Sequence, residues 1–296
     1  MCGLLVSVNV DIPHSEFLKA LSHQSYRGPD SINVFSKPSL RLGHVRLKVL
    51  DLSSNANQPF SSSCGRYTIV FNGEIYNYKD IVKKYKFQCT TTSDTEVLLK
   101  LYELRKEKCL HELNGDFAFV VYDAMQRSLF IARDRLGVKP LFFSYHKNGI
   151  IFSSEPKSIL QITNDHVISE RGLRQYKVMR GFFDGCTIYN SVYSFPPGHY
   201  TEIEHESNKV IPKQYWDFVP TLDRTVSIHE IRELIKDAVE IRMTADVPVG
   251  AFLSGGLDSS IIAAIAKVER TYSVGMEVHN ESQYAEIMAK HIGSLH

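Results

Sequence analysis

Cys2 is the residue of this sequence best placed to act as a nucleophile. The chain begins with Met-Cys-Gly, a start from which the initiator methionine can be trimmed to leave the Cys2 thiol beside a free α-amine. A cysteine thiol ordinarily titrates near pH ~8.5 and an α-amine near ~7.7–8.0, so the amine can accept the thiol proton close to neutral pH. One residue then supplies both the nucleophile and the adjacent base that covalent catalysis requires.

Polar motifs follow Cys2 at intervals along the chain. The earlier ones are Tyr26-Arg27-Gly28-Pro29-Asp30, Gly43-His44-Val45-Arg46-Leu47, Asn57-Gln58-Pro59, Asn72-Gly73-Glu74-Ile75-Tyr76-Asn77 and Ser93-Asp94-Thr95-Glu96. The later ones are Leu113-Asn114-Gly115-Asp116-Phe117-Ala118, Ala132-Arg133-Asp134-Arg135-Leu136-Gly137 with Lys139-Pro140, and Pro196-Pro197-Gly198. Each motif alone has an ordinary structural interpretation, because Asn-Gly is typical of a hairpin turn and Gly-Pro of a loop.

Taken together and in this order behind Cys2, the motifs resemble those of the class II glutamine amidotransferases, the Ntn-hydrolase glutaminases, and specifically the asparagine synthetase family. The resemblance covers nearly the whole chain. It implies that Cys2 is the nucleophile, that Asn72 and Gly73 stabilise the oxyanion, and that the backbone from Arg46 to Leu50 lines a glutamine pocket. The glutamine-binding residues that it implies are Arg46, Leu47, Lys48, Val49, Leu50, Asn72, Gly73, Glu74 and Asp94.

The residue types are also suited to glutamine on chemical grounds. Glutamine is a zwitterion with a terminal amide, so its site needs a cation for the α-carboxylate, an anion for the α-ammonium and donors for the oxyanion. Arg46 can hold a carboxylate with a two-pronged guanidinium, and Asp94 or Glu74 can hold an ammonium. Asn72 and the Gly73 N–H are candidate oxyanion donors, each contributing roughly 2.7–4 kcal/mol when preorganised.

A second motif, Ser254-Gly255-Gly256-Leu257-Asp258-Ser259-Ser260, lies between an apolar stretch and a predicted helix. Glycines at such a turn let backbone N–H groups approach an anion, and the helix N-terminus adds its positive dipole end. The Gly-Lys-Ser/Thr ending of a Walker A loop is absent, and a Gly-rich turn alone is usually a mere connection. The full motif resembles the PP-loop of the N-type ATP pyrophosphatases. The ATP contacts that this resemblance implies are Phe252, Ser254, Gly255, Gly256, Leu257, Asp258, Ser259 and Val274, with Asp258 as a magnesium ligand.

The pattern over residues 2–210 predicts an α+β domain. Apolar runs bounded by turn residues indicate strands over 4–10, 40–49, 67–71, 117–122, 129–133, 141–145 and 150–153. Helical spacing indicates helices over 11–22 and 94–106. Strands in runs with helices in separate blocks argue for layers rather than a parallel βαβ series, and the family resemblance implies an Ntn-hydrolase αββα sandwich.

Residues 211–226 contain two prolines and are interpreted as a linker. Residues 227–296 then alternate between predicted helices (228–243, 259–268, 282–291) and strands (247–253, 271–276), which is typical of a parallel α/β domain. Two strands in about 70 residues lie at the lower limit for an independent core. We interpret this part as an incomplete PP-loop ATP pyrophosphatase domain, and we expect the chain to be a short gene product, a fragment, or a subunit whose partner supplies the rest.

Composition excludes several classes of function. The chain has 296 residues, 43% of them hydrophobic, and a formal net charge of +1, so neither nucleic acid nor a membrane surface is an expected partner. Its five cysteines form no CxxC or metal-ligand grouping, which favours a reduced, cytoplasmic setting. We expect no tightly bound cofactor, and ATP with Mg²⁺ to act as a substrate complex.

The sequence thus predicts a glutamine-dependent asparagine synthetase, converting L-aspartate, L-glutamine, ATP and water into L-asparagine, L-glutamate, AMP and diphosphate. This chain carries the glutaminase half and the start of the ATP site. Two alternatives stay open at this point: an amidotransferase with another amide acceptor, and a non-catalytic subunit that binds a full-length homologue. The chain is expected either to form a homodimer or to bind a partner chain that supplies the missing part of the synthetase.

Overall fold

The computed structural model describes residues 1–204, 207, 209–220, 225–275 and 282–296, which form two compact units, Met1–Phe218 and Val219–His296. The strands of the first unit are β1 (Gly3–Val8), β2 (Ser31–Lys37), β3 (Leu40–Arg46), β4 (Phe60–Ser61), β5 (Tyr67–Ile75), β6 (Gly115–Asp123), β7 (Ser128–Arg133), β8 (Phe142–His146), β9 (Gly149–Ser153), β10 (Tyr193–Ser194), β11 (His199–Glu204) and β12 (Lys213–Gln214). Its helices are α1 (His14–Ser22), α2 (Tyr78–Tyr85), α3 (Asp94–Arg105), α4 (Pro156–Thr163) and α5 (Glu170–Met179).

The first unit has two six-stranded antiparallel sheets. The first sheet has the order β10-β8-β9-β1-β3-β2, and the second has the order β12-β11-β7-β6-β5-β4. One apolar cluster joins the inner faces of the two sheets, while two others pack α1 and α4 on the first sheet and α2 and α3 on the second. The predicted four-layer αββα sandwich is therefore confirmed.

Strand β6 shows why this sequence forms an inner layer. Its side chains alternate, so that Phe119 and Val121 join the cluster beneath α2 and α3, while Val120 and Tyr122 join the cluster between the sheets. Successive side chains of a strand point to opposite faces, and both faces of β6 are covered. A continuous apolar run is the pattern expected of such a strand.

The predicted strands of this unit are present with shifted ends. The predicted helix over 11–22 begins only at His14, after Pro13, and the predicted strand over 40–49 ends at Arg46. Strand β2 and helix α5 were not predicted. Most of their residues are polar and lie near the surface, so the apolar periodicity that reveals buried elements is weak there.

Part of the segment predicted as a linker packs on the first unit. Strand β12 pairs with β11 at the edge of the second sheet, and the hydroxyl of Tyr215 donates to the carbonyl of Arg133 at 2.9 Å. The predicted boundaries at 210 and 226 stay predictions.

The second unit contains α6 (Ile228–Glu240), β13 (Gly250–Phe252), α7 (Leu257–Ala266), β14 (Arg270–Tyr272) and α8 (Ser282–Ile292). Strands β13 and β14 are parallel, as predicted, although both are shorter than expected, and Met276, the predicted end of the second strand, lies outside the described residues. Helix α7 begins two residues before the predicted start at 259. Within the described residues, none of the helices of either unit combines the length and apolar character needed to span a bilayer.

The second unit buries far less apolar surface than the first. The apolar cluster that its described residues form has four fully buried members, Leu253, Ala263, Ala285 and Ala289. Helix α6 has no buried residue. Because apolar burial is the main source of folding free energy, this unit gains little stability from its own core.

We predict that the two units differ widely in local stability. Hydrogen-bonded amides of α7 should exchange with deuterium at least about 100-fold faster than those of β6, because exchange follows the local free energy of opening. Hydrogen exchange followed by mass spectrometry of peptides from the intact chain measures both. Equal protection of the two elements would contradict this account of the core.

Candidate active site

The predicted glutamine-site residues meet at one cavity of the first unit, with a volume of about 180 Å³. This is below the ~300–1,000 Å³ usual for drug-sized ligands, so the cavity suits a small molecule. Its lining residues are Met1, Cys2, Arg46, Leu47, Val49, Leu50, Gln58, Phe71, Asn72, Gly73, Glu74, Ser93, Asp94, Thr95 and Lys139. They come from the residues just before β1, the end of β3 and the loop after it, β5, the start of α3 and the loop after β7. Lys48 is not among them, and its backbone N–H donates to Asp30 Oδ2 at 2.8 Å.

The Cys2 thiol lies against the backbone of Leu47. The Leu47 N–H donates to Sγ at 3.4 Å, and Sγ lies 3.7 Å from the Leu47 carbonyl. Burial raises the pKa of the thiol, and the hydrogen bond from Leu47 opposes that rise. Arg27 fixes the residue from the other side, since its Nε donates to the Cys2 carbonyl at 2.9 Å and its Nη1 pairs with Glu155 at 2.7 Å.

Met1 also lines the cavity, and while it is present the free amine belongs to Met1. Burial lowers the pKa of this amine, and Arg27 and Lys139 lower it further by charge repulsion. Removal of Met1 places the amine on Cys2, beside Sγ, and enlarges the cavity at the nucleophile.

Asn72 and Gly73 stand on β5, where the strand faces Cys2 across the cavity. Asn72 is fully buried, its Nδ2 lies 3.5 Å from Ser154 Oγ, and its Oδ1 has no hydrogen-bond partner among the described residues. A Cβ at Gly73 would collide with the backbone of β6, 2.8 Å from the Cα of Phe117. The site therefore needs glycine at this position for packing as well as for access to the N–H.

The backbone of Phe71, the residue before Asn72, is held at both its carbonyl and its N–H. His44 Nε2 lies 3.0 Å from the Phe71 carbonyl, and the Phe71 N–H donates to Gln58 Oε1 at 2.6 Å. Burial lowers the pKa of His44 to about 3, so this histidine is neutral and donates from Nε2. The sequence motifs contained His44 and Gln58, but their types alone assigned them no role.

Arg46 is bound to the loop that follows β3. Its Nη1 donates to the Ser53 carbonyl and to Asn57 Oδ1, each at 2.8 Å. Its Nη2 donates to the carbonyls of Leu50, at 3.0 Å, and Asp51. Both terminal nitrogens thus hold the wall of the cavity, so a two-pronged grip on a substrate carboxylate requires Arg46 to release some of these oxygens. If Arg46 keeps these bonds, it can attract a substrate carboxylate through its charge but cannot form two hydrogen bonds to it.

Asp94 offers the cavity a buried carboxylate at the N-terminus of α3. Its Oδ2 accepts the Ile75 N–H at 2.9 Å. Burial nonetheless raises the pKa of the carboxyl from 3.8 to about 6, a difference equivalent to about 3 kcal/mol. Ionised Asp94 is therefore costly without a positive partner, and a bound ammonium group would offset that cost. Glu74 lines the same cavity, as predicted.

Several lining residues were not predicted as site residues, namely Met1, Gln58, Phe71, Ser93, Thr95 and Lys139. Four of them lie in motifs that sequence inspection had singled out without a function. Their positions depend on contacts between residues far apart in the chain, such as the bond from Gln58 Nε2 to Thr95 Oγ1 at 3.2 Å. No local pattern reports such a contact.

The Gly-rich motif of the second unit follows β13 and leads into α7, whose N-cap is Gly256. Leu257, Asp258 and Ser259 belong to the first turn of this helix rather than to the loop. Gly255 has a φ of +84°, and a Cβ there would lie 2.7 Å from the Cβ of Tyr284. Position 255 is thus restricted to glycine by its backbone conformation and by the side chain of Tyr284.

The other predicted ATP contacts lie at the same end of the sheet. Phe252 is 80% exposed and Val274 is 87% exposed. Phe252 ends β13 and Val274 follows β14, so both lie at the carboxyl ends of the parallel strands, where open α/β sheets bind ligands. The hydroxyl groups of Ser254 and Ser259 form a hydrogen bond, with 3.0 Å between the two Oγ atoms. Asp258 is exposed, and the described residues contain no cluster of three potential metal ligands. One carboxylate suits magnesium only when phosphates supply most other ligands.

Comparison with known families matches the chain in two parts. The sequence profile of the glutamine amidotransferase domain matches residues 1–216. That of asparagine synthase matches residues 230–296. The first match covers the whole cavity of Cys2, and the second covers the Gly-rich loop.

The chain is 37% identical to asparagine synthetase (glutamine-hydrolyzing) 1 of Bacillus subtilis, over 96% of this chain and 47% of the relative. It is 29% identical to asparagine synthetase B (glutamine-hydrolyzing) of Escherichia coli, over 92% of this chain and 48% of the relative. The chain therefore spans about half the length of these curated relatives.

Among solved structures, the chain is similar to the glutamine phosphoribosylpyrophosphate amidotransferase of Bacillus subtilis, determined in complex with ADP and GMP. The TM-score is 0.56 at 16% identity, over 93% of this chain and 66% of that one. At this identity the likeness establishes the fold, which is the predicted Ntn-hydrolase type.

Asp94→Asn should separate glutamine binding from stability. Because the folded-state pKa is raised, the stability contributed by the protonated carboxyl is complete below pH 3.8 and is lost as the pH rises through about 6. At pH 7.5 the neutral variant should be at least as stable as the wild type, by urea denaturation, while KM for glutamine rises about tenfold or more with the loss of a charged partner.

Asp80→Asn is the matched control, because its carboxylate is 79% exposed on α2 and should change the free energy of unfolding by less than about 0.5 kcal/mol. A destabilised Asp94→Asn protein with an unchanged KM would contradict the assignment.

Proposed function

The chain belongs to the glutamine amidotransferase family, and on this premise we propose that Cys2, once Met1 is removed, hydrolyses the side-chain amide of glutamine. The observation that carries the proposal is the convergence of Cys2, Asn72, Gly73 and Asp94 on one small cavity. A thiol, two oxyanion donors and an ammonium-binding carboxylate are what this reaction requires.

The proposed reaction has two steps. The Cys2 sulfur attacks the amide carbon, the C–N bond breaks, and the proton taken up by the N-terminal amine leaves with the nitrogen as ammonia. Water then hydrolyses the thioester, which forms glutamate and restores the thiol. Asn72 and the Gly73 N–H support the oxyanion of both tetrahedral intermediates, while Asp94 and the charge of Arg46 orient the zwitterionic end.

We propose further that the whole protein transfers this ammonia to aspartate. The match of residues 230–296 to asparagine synthase and the names of the two relatives support this proposal. The loop from Ser254 to Ser259 would bind the phosphates of ATP as a PP-loop, with Asp258 beside a magnesium ion carried by the nucleotide. The β-carboxylate of aspartate would attack the α-phosphate of ATP to form an adenylate and release diphosphate, and ammonia would then convert the adenylate into asparagine and AMP.

The glutaminase proposal is tested by replacing the nucleophile. Cys2→Ala should lower kcat/KM for glutamate release by about 10³ or more, because the covalent route is lost. Cys64→Ala is the control, since Cys64 is an exposed thiol outside the cavity, and it should match the wild type. An alanine inserted between Met1 and Cys2 should also abolish activity, because the amine is then displaced from Sγ. Equal rates for Cys2→Ala and wild type would refute the assignment.

The nucleotide proposal is tested at Gly255. Gly255→Val should weaken the binding of MgATP, measured by equilibrium dialysis, by about tenfold or more, because the side chain clashes with Tyr284 and distorts the phosphate-binding turn. Gly293→Val provides the control: this glycine also has a positive φ, +72°, but open space around its Cβ position. Equal losses for the two variants would indicate general backbone strain and not a phosphate site.

A further inference from the structure

The loop after β7, residues 133–140, is built more rigidly than a surface connection requires. The buried carboxylate of Asp134 accepts four backbone N–H groups, those of Phe117 at 3.2 Å, Leu136 at 3.1 Å, Val138 at 2.9 Å and Lys139 at 2.9 Å. A carboxylate with this many donors fixes the path of the chain through the loop. Neither the glutamine contacts nor the oxyanion donors come from it.

Arg133 holds the same loop from its other end. The guanidinium is buried, its Nε donates to the Lys139 carbonyl at 2.8 Å, and its Nη2 donates to the Gly137 carbonyl at 2.9 Å. The N–H of Lys139 is bound by Asp134 and its carbonyl by Arg133, so both sides of this residue are fixed. The loop thus determines where the Lys139 side chain starts.

That side chain points into the Cys2 cavity. Lys139 is one of its lining residues, and Lys139 Nζ lies 4.0 Å from Met1 Sδ. The neighbouring apolar side chains of the loop, Leu136 and Val138, are exposed instead. The loop therefore brings one cation to the N-terminal residue.

The charges around the N-terminal residue make this cation distinctive. Arg27 is paired with Glu155, and both terminal nitrogens of Arg46 are bound to loop oxygens. Lys139 forms no ion pair with any residue that the structure describes. Among the other charged groups, Arg27 and Asp30 act on the amine, and Arg46 and Asp94 act on the thiol. The carboxyl group of Glu74 lines the same cavity.

We propose that Lys139 is a positioning residue for the nucleophile: its ammonium, carried by a fixed backbone to the N-terminal residue, favours the neutral N-terminal amine and the Cys2 thiolate. This inference rests on the proposed glutaminase function. Burial alone disfavours the thiolate, and a nearby positive charge acts in the opposite direction. The same charge repels a proton on the amine, so the base is free at a lower pH.

The direction of the expected change follows from these signs. Loss of the positive charge stabilises the ammonium and destabilises the thiolate, so both groups titrate at higher pH. The loss of one nearby charge in such a cavity corresponds to a displacement on the order of one pH unit. The acid limb of the pH–rate profile should move to higher pH by that amount. At any fixed pH below the midpoint, the rate should then be about tenfold lower.

The test compares Lys139→Met, Lys139→Gln and Lys139→Arg with the wild type and with Lys83→Met. Lys83 is a 79% exposed lysine of α2 outside the cavity, so its variant removes an equivalent charge elsewhere. Intact-mass measurement first confirms that each protein has lost Met1. The rate of Cys2 alkylation by iodoacetamide is then followed against pH without glutamine, by mass spectrometry of the tryptic peptide 2–19, which contains no other cysteine. The pH profile of kcat/KM for glutamate release is measured in parallel.

Both neutral Lys139 variants should show midpoints about one pH unit higher in both profiles, while Lys139→Arg and Lys83→Met should retain the wild-type midpoints. Unchanged midpoints in the neutral variants, or a uniform fall in rate at every pH, would overturn the proposal. Alkylation reports on Cys2 whether or not glutamine is hydrolysed. A displaced alkylation profile in a protein without Cys2-dependent glutamate release would therefore reject the glutaminase function and leave the role of Lys139 standing.

Discussion

The entry of the N-terminus into the middle of a sheet is the constraint on which the first unit depends. Strand β1 begins at Gly3, immediately after Cys2, and pairs with β3 on one side and with β9 on the other. All six of its residues are buried. A chain end is ordinarily mobile unless it is tied down, and here the ladder hydrogen bonds of two neighbours hold it. The nucleophile therefore inherits the rigidity of the core, and the strands that hold it also deliver Arg46 and the Leu47 N–H to its side.

Burial positions the reacting groups but works against their charged forms. It raises the pKa of both the Cys2 thiol and the Asp94 carboxyl, whereas the chemistry uses a thiolate and a carboxylate. Backbone N–H groups and nearby cations offset this for the thiol, and the ammonium of the proposed substrate would offset it for Asp94. A destabilised carboxylate would also give selectivity, because a ligand without the ammonium would leave the charge unpaired.

The central strands and the grouping of the main polar motifs could be predicted, because local patterns and the family motifs encode them. The continuous apolar run of β6 follows from burial on both faces, and Asn72, Gly73 and Asp94 line one cavity with Cys2, as the family motifs implied. Two features could not be predicted in this way. Arg46 donates to the backbone carbonyls of Leu50 and Asp51. Every residue type has such a carbonyl, so the sequence does not reveal which ones act as acceptors. The approach of Lys139 to the N-terminus joins positions 138 residues apart and depends on the loop geometry set by Asp134.

The two units place their functional groups under different physical conditions. All lining residues of the Cys2 cavity belong to the first unit, which has three extensive apolar clusters. In the second unit the proposed phosphate loop stands on two short strands and a core of four residues among those described. Ser254 and Ser259 of this loop are hydrogen-bonded to each other, and the side chains of Phe252 and Val274 are exposed to solvent. The proposed glutamine hydrolysis would thus take place on a framework that is already rigid, whereas nucleotide binding would contribute its own free energy to ordering the loop. The release of ammonia should therefore depend little on the second unit, whereas the use of ATP should depend on the ligand that orders the loop.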